Sequence, residues 1–321
     1  MWKFQKKRGM CLKMIQSDYN KKLKRLAVIA SVCLAVLLAV FKFFAFLKTD
    51  SLAIFSSFVD SLTDLFASVI SFVAIYFSTK PATSSHRYGY GKTEALSALL
   101  QAMFVGSSGI FVIYDSIQRL INPILITDIP MGITVMVLSF CATLFLVLFQ
   151  TFVAKKTNSL AIKADRAHYT VDFLTNAAVI ISLILVYFFD FIYFDIIAAL
   201  FISIYLLYNA YSLAKEAIEL ITDKELPEEV RKKVEDIVKK SKDILGLHDF
   251  RTRSLGDIYY FELHLEIDGK ISLLEAHKIA STVEQRILKV YPNSQILIHQ
   301  DPYGIRETRL DHEIEGSCDI K

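Results

Sequence analysis

Two pairs of ionisable residues stand inside apolar stretches of this sequence: Asp60-Ser-Leu-Thr-Asp64 and His168-Tyr-Thr-Val-Asp172. Within each pair the members are four positions apart, so on a helix both side chains leave the same face. Three carboxylates and one imidazole make a four-member N/O donor set. Such a set suits zinc in tetrahedral coordination and also admits ferrous iron, cobalt or cadmium. Charges are expensive in an apolar span and mark ion or proton pathways where they occur. At a rise of about 1.5 Å per residue, Asp60 and Asp64 fall about 12–18 Å from the outer end of their span, and His168 and Asp172 about 10–17 Å from the inner end of theirs. Both pairs therefore reach the middle of a bilayer. No Lys or Arg is expected at that depth, so a dication or protons must balance the carboxylates.

A second group lies near the C-terminus. His248, His264, His277 and His299 account for four of the seven histidines, and Asp301 follows His299 by two residues. His264 alternates with Glu262 and Glu266 on the polar face of a predicted strand, and His299 and Asp301 project together from another. This set could hold one or two metal ions. His277, on a predicted helix, is its weakest member. His86 stands alone in a loop beside Tyr88, Tyr90, Gly89 and Gly91, and reads as a loop histidine.

The elements that carry these residues follow from the hydropathy pattern. The chain has 321 residues, 54% of them hydrophobic, with 24 Phe, and a mean hydropathy of +0.42. Its apolar residues fall in long runs before about Asp223, which excludes an ordinary soluble protein. A span needs about 20 largely apolar residues. The runs at 26–47, 52–78, 94–121, 131–154, 161–189 and 194–221 predict six transmembrane helices. The first is too long for a signal-peptide core and lacks a cleavage site. Cations collect before the first span, in the break with Lys80, Arg87 and Lys92, and around Lys155 and Lys156, which places both termini in the cytoplasm. Gly106-Ser-Ser-Gly109 reads as a helix-packing patch.

Beyond Asp223 the pattern becomes that of a soluble α+β unit. Pro227 opens an amphipathic helix with Val230, Val234, Ile237 and Val238 on one face. Strands follow at 247–255 and 258–267, then a helix at 273–290 and a strand at 295–299, an αββαβ order. The expected domains are a basic, disordered N-terminal segment (1–25), a six-helix transmembrane domain (26–222), a metal-binding α+β domain (223–304) and a polar tail (305–321). The four Cys fit no disulfide framework. The net charge of +3 gives no ground for a nucleic-acid partner.

The quartet, together with HRYGYGKTEAL, KADRAHYTVDFLTNAA and the closing HQDP, resembles the cation diffusion facilitators, in the branch of bacterial zinc and ferrous-iron efflux transporters. The resemblance runs from about Arg25 to Tyr303. It implies a homodimer in the inner membrane that exchanges cytoplasmic metal for protons, with no further cofactor. It also implies a binuclear cytoplasmic site bridged by Asp301. Related transporters carry an Asp and two His in the loop around His86; here Thr83 and Tyr90 replace two of the three, which leaves a poor zinc site. Two other readings compete. An intramembrane metallohydrolase would need a spare base beside the metal, and no HExxH is present. A membrane-anchored sensor would explain the C-terminal histidines but not the buried quartet.

Overall fold

The structure is a computed structural model that describes residues 2–49, 52–121, 129–189, 194–256 and 258–305. Six long helices come first: α1 (Trp2–Thr49), α2 (Leu52–Ser78), α3 (Lys92–Ile121), α4 (Ile129–Thr157), α5 (Leu160–Phe189) and α6 (Phe194–Ile221). Among the described residues, Asp18–Phe44, Ser61–Ser78, Lys92–Gln118 and Val137–Thr157 are long and apolar enough to cross a bilayer. With 30 and 28 residues, α5 and α6 have the length for it. The breaks predicted around Asn122–Pro130 and Asp190–Asp195 lie largely outside the described residues, as does Asp257 in the predicted turn between the two strands.

The bundle, Gln16–Ile221, is one compact unit, and its packing inverts that of a soluble protein. Ala95, Ala98, Ala102, Ala161, Ala164 and Ala217 fill its interior, while Phe66, Phe111, Phe145 and Phe201 are exposed on its outside. Lipid solvates the large apolar groups, and small residues let the backbones approach. The glycine patch on α3 does this against α6: a Cβ on Gly109 would come within 3.2 Å of Leu207. Between α4 and α5 the chain reverses in two residues, with Asn158 at φ +50°, a conformation that Asn tolerates.

Two expectations about the N-terminus are corrected. Residues Trp2 to Arg25 continue α1 instead of forming a disordered segment; they contain no Pro and one Gly among good helix formers. Lys24 is buried rather than solvated. Its ammonium meets Glu94 of α3 at 2.9 Å, and Glu94 also accepts from Ser78 of α2 at 2.9 Å and from Ser159, beside the start of α5, at 2.5 Å. A buried Lys persists only when it is paired in this way.

The described residues from Thr222 onward belong to the second compact unit. It contains α7 (Glu228–Lys239), β1 (Gly246–Leu255), β2 (Ile258–Ile267), α8 (Leu273–Val290) and β3 (Ser294–Pro302), in the predicted order. β1 and β2 pair antiparallel, and β3 joins β2 parallel after crossing over through α8. Phe261, Leu263, Leu265 and Ile267 point to one side of β2, where they meet Val234 and Val238 of α7 and Val283 and Ile287 of α8. One face of the sheet is thereby spent on the core, and the other is left for polar side chains. A β-bulge between His248 and Arg251 adds one residue to β1, so that Leu247 and Phe250 both reach the core although they are three positions apart.

Candidate metal sites

The geometry of the first site comes from α2 and α5. His168 Nε2 lies 3.0 Å from Asp64 Oδ1. One donor atom each from Asp64, His168 and Asp172 lies within 4.8 Å of the other two. That spacing allows a single ion to contact all three at ordinary bond lengths. Asp60 stands one turn before Asp64 on α2; its side chain lies outside the described residues. His168 is buried.

The surroundings of this site contain groups that the sequence did not single out. Asp165, one turn before His168, is fully buried and accepts from Ser31 of α1 and Gln150 of α4, both at 2.6 Å. Tyr169 OH lies 2.8 Å from Ser68 of α2 and donates to the Ser31 carbonyl at 3.2 Å. Asp165 was detectable by its i,i+3 spacing from His168; Ser31 and Gln150 carried no signal. The expectation that no cation approaches this depth is also corrected. Lys42 of α1 donates to Ser61, the residue after Asp60, at 2.7 Å. A Lys reads as a span-end residue in one dimension, but its four-carbon stem lets the ammonium reach a neighbouring helix.

The second site is a matter of strand register. His248, His264 and His299 are cross-strand partners on β1, β2 and β3, and in the next row Gly246, Glu266 and Asp301 align. Asp301 joins the row of histidines: Oδ2 lies 2.9 Å from His264 Nδ1 and 3.4 Å from His248 Nε2, and Oδ1 lies 3.0 Å from His299 Nε2. One carboxylate thus faces two histidines with one oxygen and the third histidine with the other. His248 is buried, whereas His299 is exposed. Asp249 also reaches His248 and His264. Simple alternation would have sent it to the opposite face; the bulge and its φ of +46° bring it round. His277 belongs to neither group among the described residues; it is exposed on α8, with Nε2 3.4 Å from Ser281 Oγ.

His86, in the loop between α2 and α3, is exposed. Its Nδ1 lies 3.1 Å from Ser85 Oγ and 3.2 Å from Tyr90 OH, and its ring stacks on Tyr90 at 4.5 Å. Among the described residues it belongs to none of the three groups of converging histidines and carboxylates.

Comparison with known proteins agrees with this architecture. The cation efflux transmembrane domain family matches residues 28–222, and the cation efflux cytoplasmic domain family matches residues 226–303. The cation-efflux pump FieF of Escherichia coli is 38% identical over 291 residues, covering 91% of this chain and 96% of its own. Two solved structures each match about a quarter of the chain. The metal-bound C-terminal domain of the CzcD transporter from Thermotoga maritima shares 25% identity, covers 25% of this chain and 93% of its own, and has a TM-score of 0.24. The zinc form of the transporter CzrB shares 29% identity, covers 27% of this chain and 99% of its own, and has a TM-score of 0.24. A bundle that spans the membrane, a small α+β unit after it and a relative similar along nearly the full length lead to one assignment: the chain belongs to the cation diffusion facilitators, a family of membrane cation-efflux transporters and not of enzymes.

Proposed function

We propose that this transporter exports zinc or ferrous iron, with cobalt or cadmium as further substrates, from the cytoplasm in exchange for protons. In this reading it works as a homodimer in the inner membrane, with both termini cytoplasmic. The observation that carries the proposal is the convergence of Asp64, His168 and Asp172 within 4.8 Å, deep in an apolar bundle. With Asp60 these residues are the transport ligands. Carboxylate and imidazole bind the metal through the same lone pairs that bind protons, so the two cargoes compete. Imidazole titrates near neutrality in water, which makes His168 the natural group to take up a proton at physiological pH. Three carboxylates and a neutral imidazole around a dication leave a charge of about −1, which a hydrated cavity, a proton or the nearby Lys42 ammonium can offset.

The sheet cluster is read as a resident metal site. The mixed imidazole and carboxylate donors suit zinc or a similar ion. His248 and His264 share one oxygen of Asp301 and His299 faces the other, which supports two ions bridged by Asp301. This site lies outside the bundle, so it tunes transport and does not carry it.

The test is uptake of Zn²⁺ and Fe²⁺ into proteoliposomes with the membrane voltage clamped. An imposed pH gradient is expected to accelerate uptake and raise its extent. Uptake indifferent to the gradient would replace exchange with a channel-like path. Metal binding without any flux would instead favour a sensor.

A further inference from the structure

The polar face of the sheet holds further carboxylates that the ligand roles above do not use, among them Glu266. Glu266 follows His264 by two residues on β2 and is 8% exposed. Its register partners are Gly246 on β1 and Asp301 on β3. Its Oε1 lies 3.2 Å from His248 Nδ1, while the other ring nitrogen, Nε2, lies 3.4 Å from Asp301 Oδ2; both are ion-pair distances, and neither contact is aligned as a hydrogen bond. The His248 ring thus stands between two carboxylates, and its side chain is only 1% exposed. Space for Glu266 comes from Gly246. A Cβ there would stand 2.7 Å from Glu266 Oε2 and 2.9 Å from its Cδ. Glycine weakens a strand interior and often marks a place where another group approaches closely; here that group is the Glu266 carboxylate.

We propose that Glu266 is a positioning residue for the cytoplasmic metal site: its carboxylate stands where a small turn of the His248 ring gives it the Nδ1 proton, and so directs the Nε2 lone pair toward the ion shared with Asp301 and His264. The proposal rests on the reading of the sheet cluster as a metal site. A neutral imidazole carries one proton, and a ligand must present the bare nitrogen to the metal. A carboxylate on the opposite nitrogen fixes both the tautomer and the ring orientation, and it raises the basicity of the ligating atom. With Glu266 and Gly246 in adjacent register, the β1–β2 ladder itself sets the distance between carboxylate and ring.

The test uses the full-length protein carrying Asp64→Ala, so that binding is read at the cytoplasmic site, with Zn²⁺ as the probe. Glu266→Ala is expected to weaken Zn²⁺ binding on the order of 10–100-fold without lowering the number of ions bound at saturation. In the metal-free protein with ¹⁵N-labelled histidine, the His248 signal should move from the Nδ1–H tautomer to a mixture. Gly246→Ala, which displaces the carboxylate while leaving every polar group in place, should do the same. Glu266→Gln keeps an acceptor and should recover most of the affinity. Wild-type affinity and tautomer in Glu266→Ala would overturn the proposal. Loss of one bound ion in that variant would also overturn it, by making Glu266 a ligand. His248→Ala is the control. If it changes neither affinity nor ion count, the metal-site reading fails; if it removes an ion while Glu266→Ala changes nothing, only the positioning role fails.

Discussion

The two clusters of histidine and carboxylate in this chain use similar donors on different frameworks. In the bundle, the candidate ligands come from single turns of two helices, and side-chain hydrogen bonds, His168 to Asp64 and Tyr169 to Ser68, join the two sides. In the C-terminal unit they come from three strands whose backbones are bonded to one another along the rows that align His248, His264 and His299. Helices packed through Ala and Gly can tilt or slide past each other without breaking a backbone hydrogen bond. Strands cannot separate without breaking a ladder. A site on two helices can therefore open first to one side of the membrane and then to the other, as transport at the midplane requires. A site on a sheet keeps its shape and holds what it binds.

The comparison breaks most directly at α2 and α5. Asp64→Ala or Asp172→Ala removes one donor from the intramembrane set, and metal flux should fall to background in liposomes while the protein remains inserted and dimeric. Retained flux in either variant would mean that the ion passes elsewhere. The next largest effect belongs to His168. His168→Ala should keep a residual flux that no longer responds to an imposed pH gradient. His168→Asp, with an all-oxygen set, should shift preference toward manganese in competition uptake. A His168→Ala protein that still couples to the gradient would assign the proton to the carboxylates alone.

Replacing His248, His264, His299 and Asp301 together by Ala should act differently. The number of ions bound at equilibrium dialysis should drop and dimer stability should weaken, yet the gradient-driven flux should persist at a reduced rate. If this variant loses flux as completely as Asp64→Ala does, the division between a moving site and a holding site is wrong.

The sequence announced these two frameworks unequally. The i,i+4 pairs in apolar runs marked Asp64, His168 and Asp172 as candidates that the fold brings together, because helical periodicity is local. The alternation through Tyr259, Phe261, Leu263 and Leu265 also fixed which face of β2 is polar, and with it His264 and Glu266. Whatever depends on pairing between distant segments stayed hidden. The rows His248–His264–His299 and Gly246–Glu266–Asp301 exist because β3 returns parallel to β2 after α8, and register is not a property of any one strand. The bulge that brings Asp249 to His248 is a backbone feature without a sequence mark. Lys24 falls in the basic segment before the first span and Lys42 inside that span, and nothing in one dimension shows that Glu94 or Ser61 waits on another helix. His277 carried the right chemistry on an element that keeps it away from the cluster of its own protomer.

The smallest effect concerns how the sheet's cover is fastened. α8 begins with a capping box: Ser272 Oγ accepts from the Glu275 amide, and the Glu275 carboxylate accepts from the Ser272 amide at 2.9 Å. The Ser272 backbone bond, with the Ser272 hydroxyl second, holds the Glu275 carboxyl below its ordinary range. A carboxyl whose pKa is depressed by folding stabilises the fold above its unfolded pKa, and that contribution disappears as pH falls through the lower, folded value. The start of α8 should therefore loosen on acidification below about pH 4.5. Ser272→Ala should destabilise the helix start by about 1 kcal/mol at neutral pH. Glu275→Gln, which can still close a capping box, should keep most neutral-pH protection and lose the acid-dependent part. Hydrogen exchange at the Glu275 and Ala276 amides reads both effects in the full chain. Neither variant touches a ligand or β2, so flux and ion count should match wild type. A metal count that follows the cap would show that the sheet site depends on its helical cover, and the strands alone would no longer explain its rigidity.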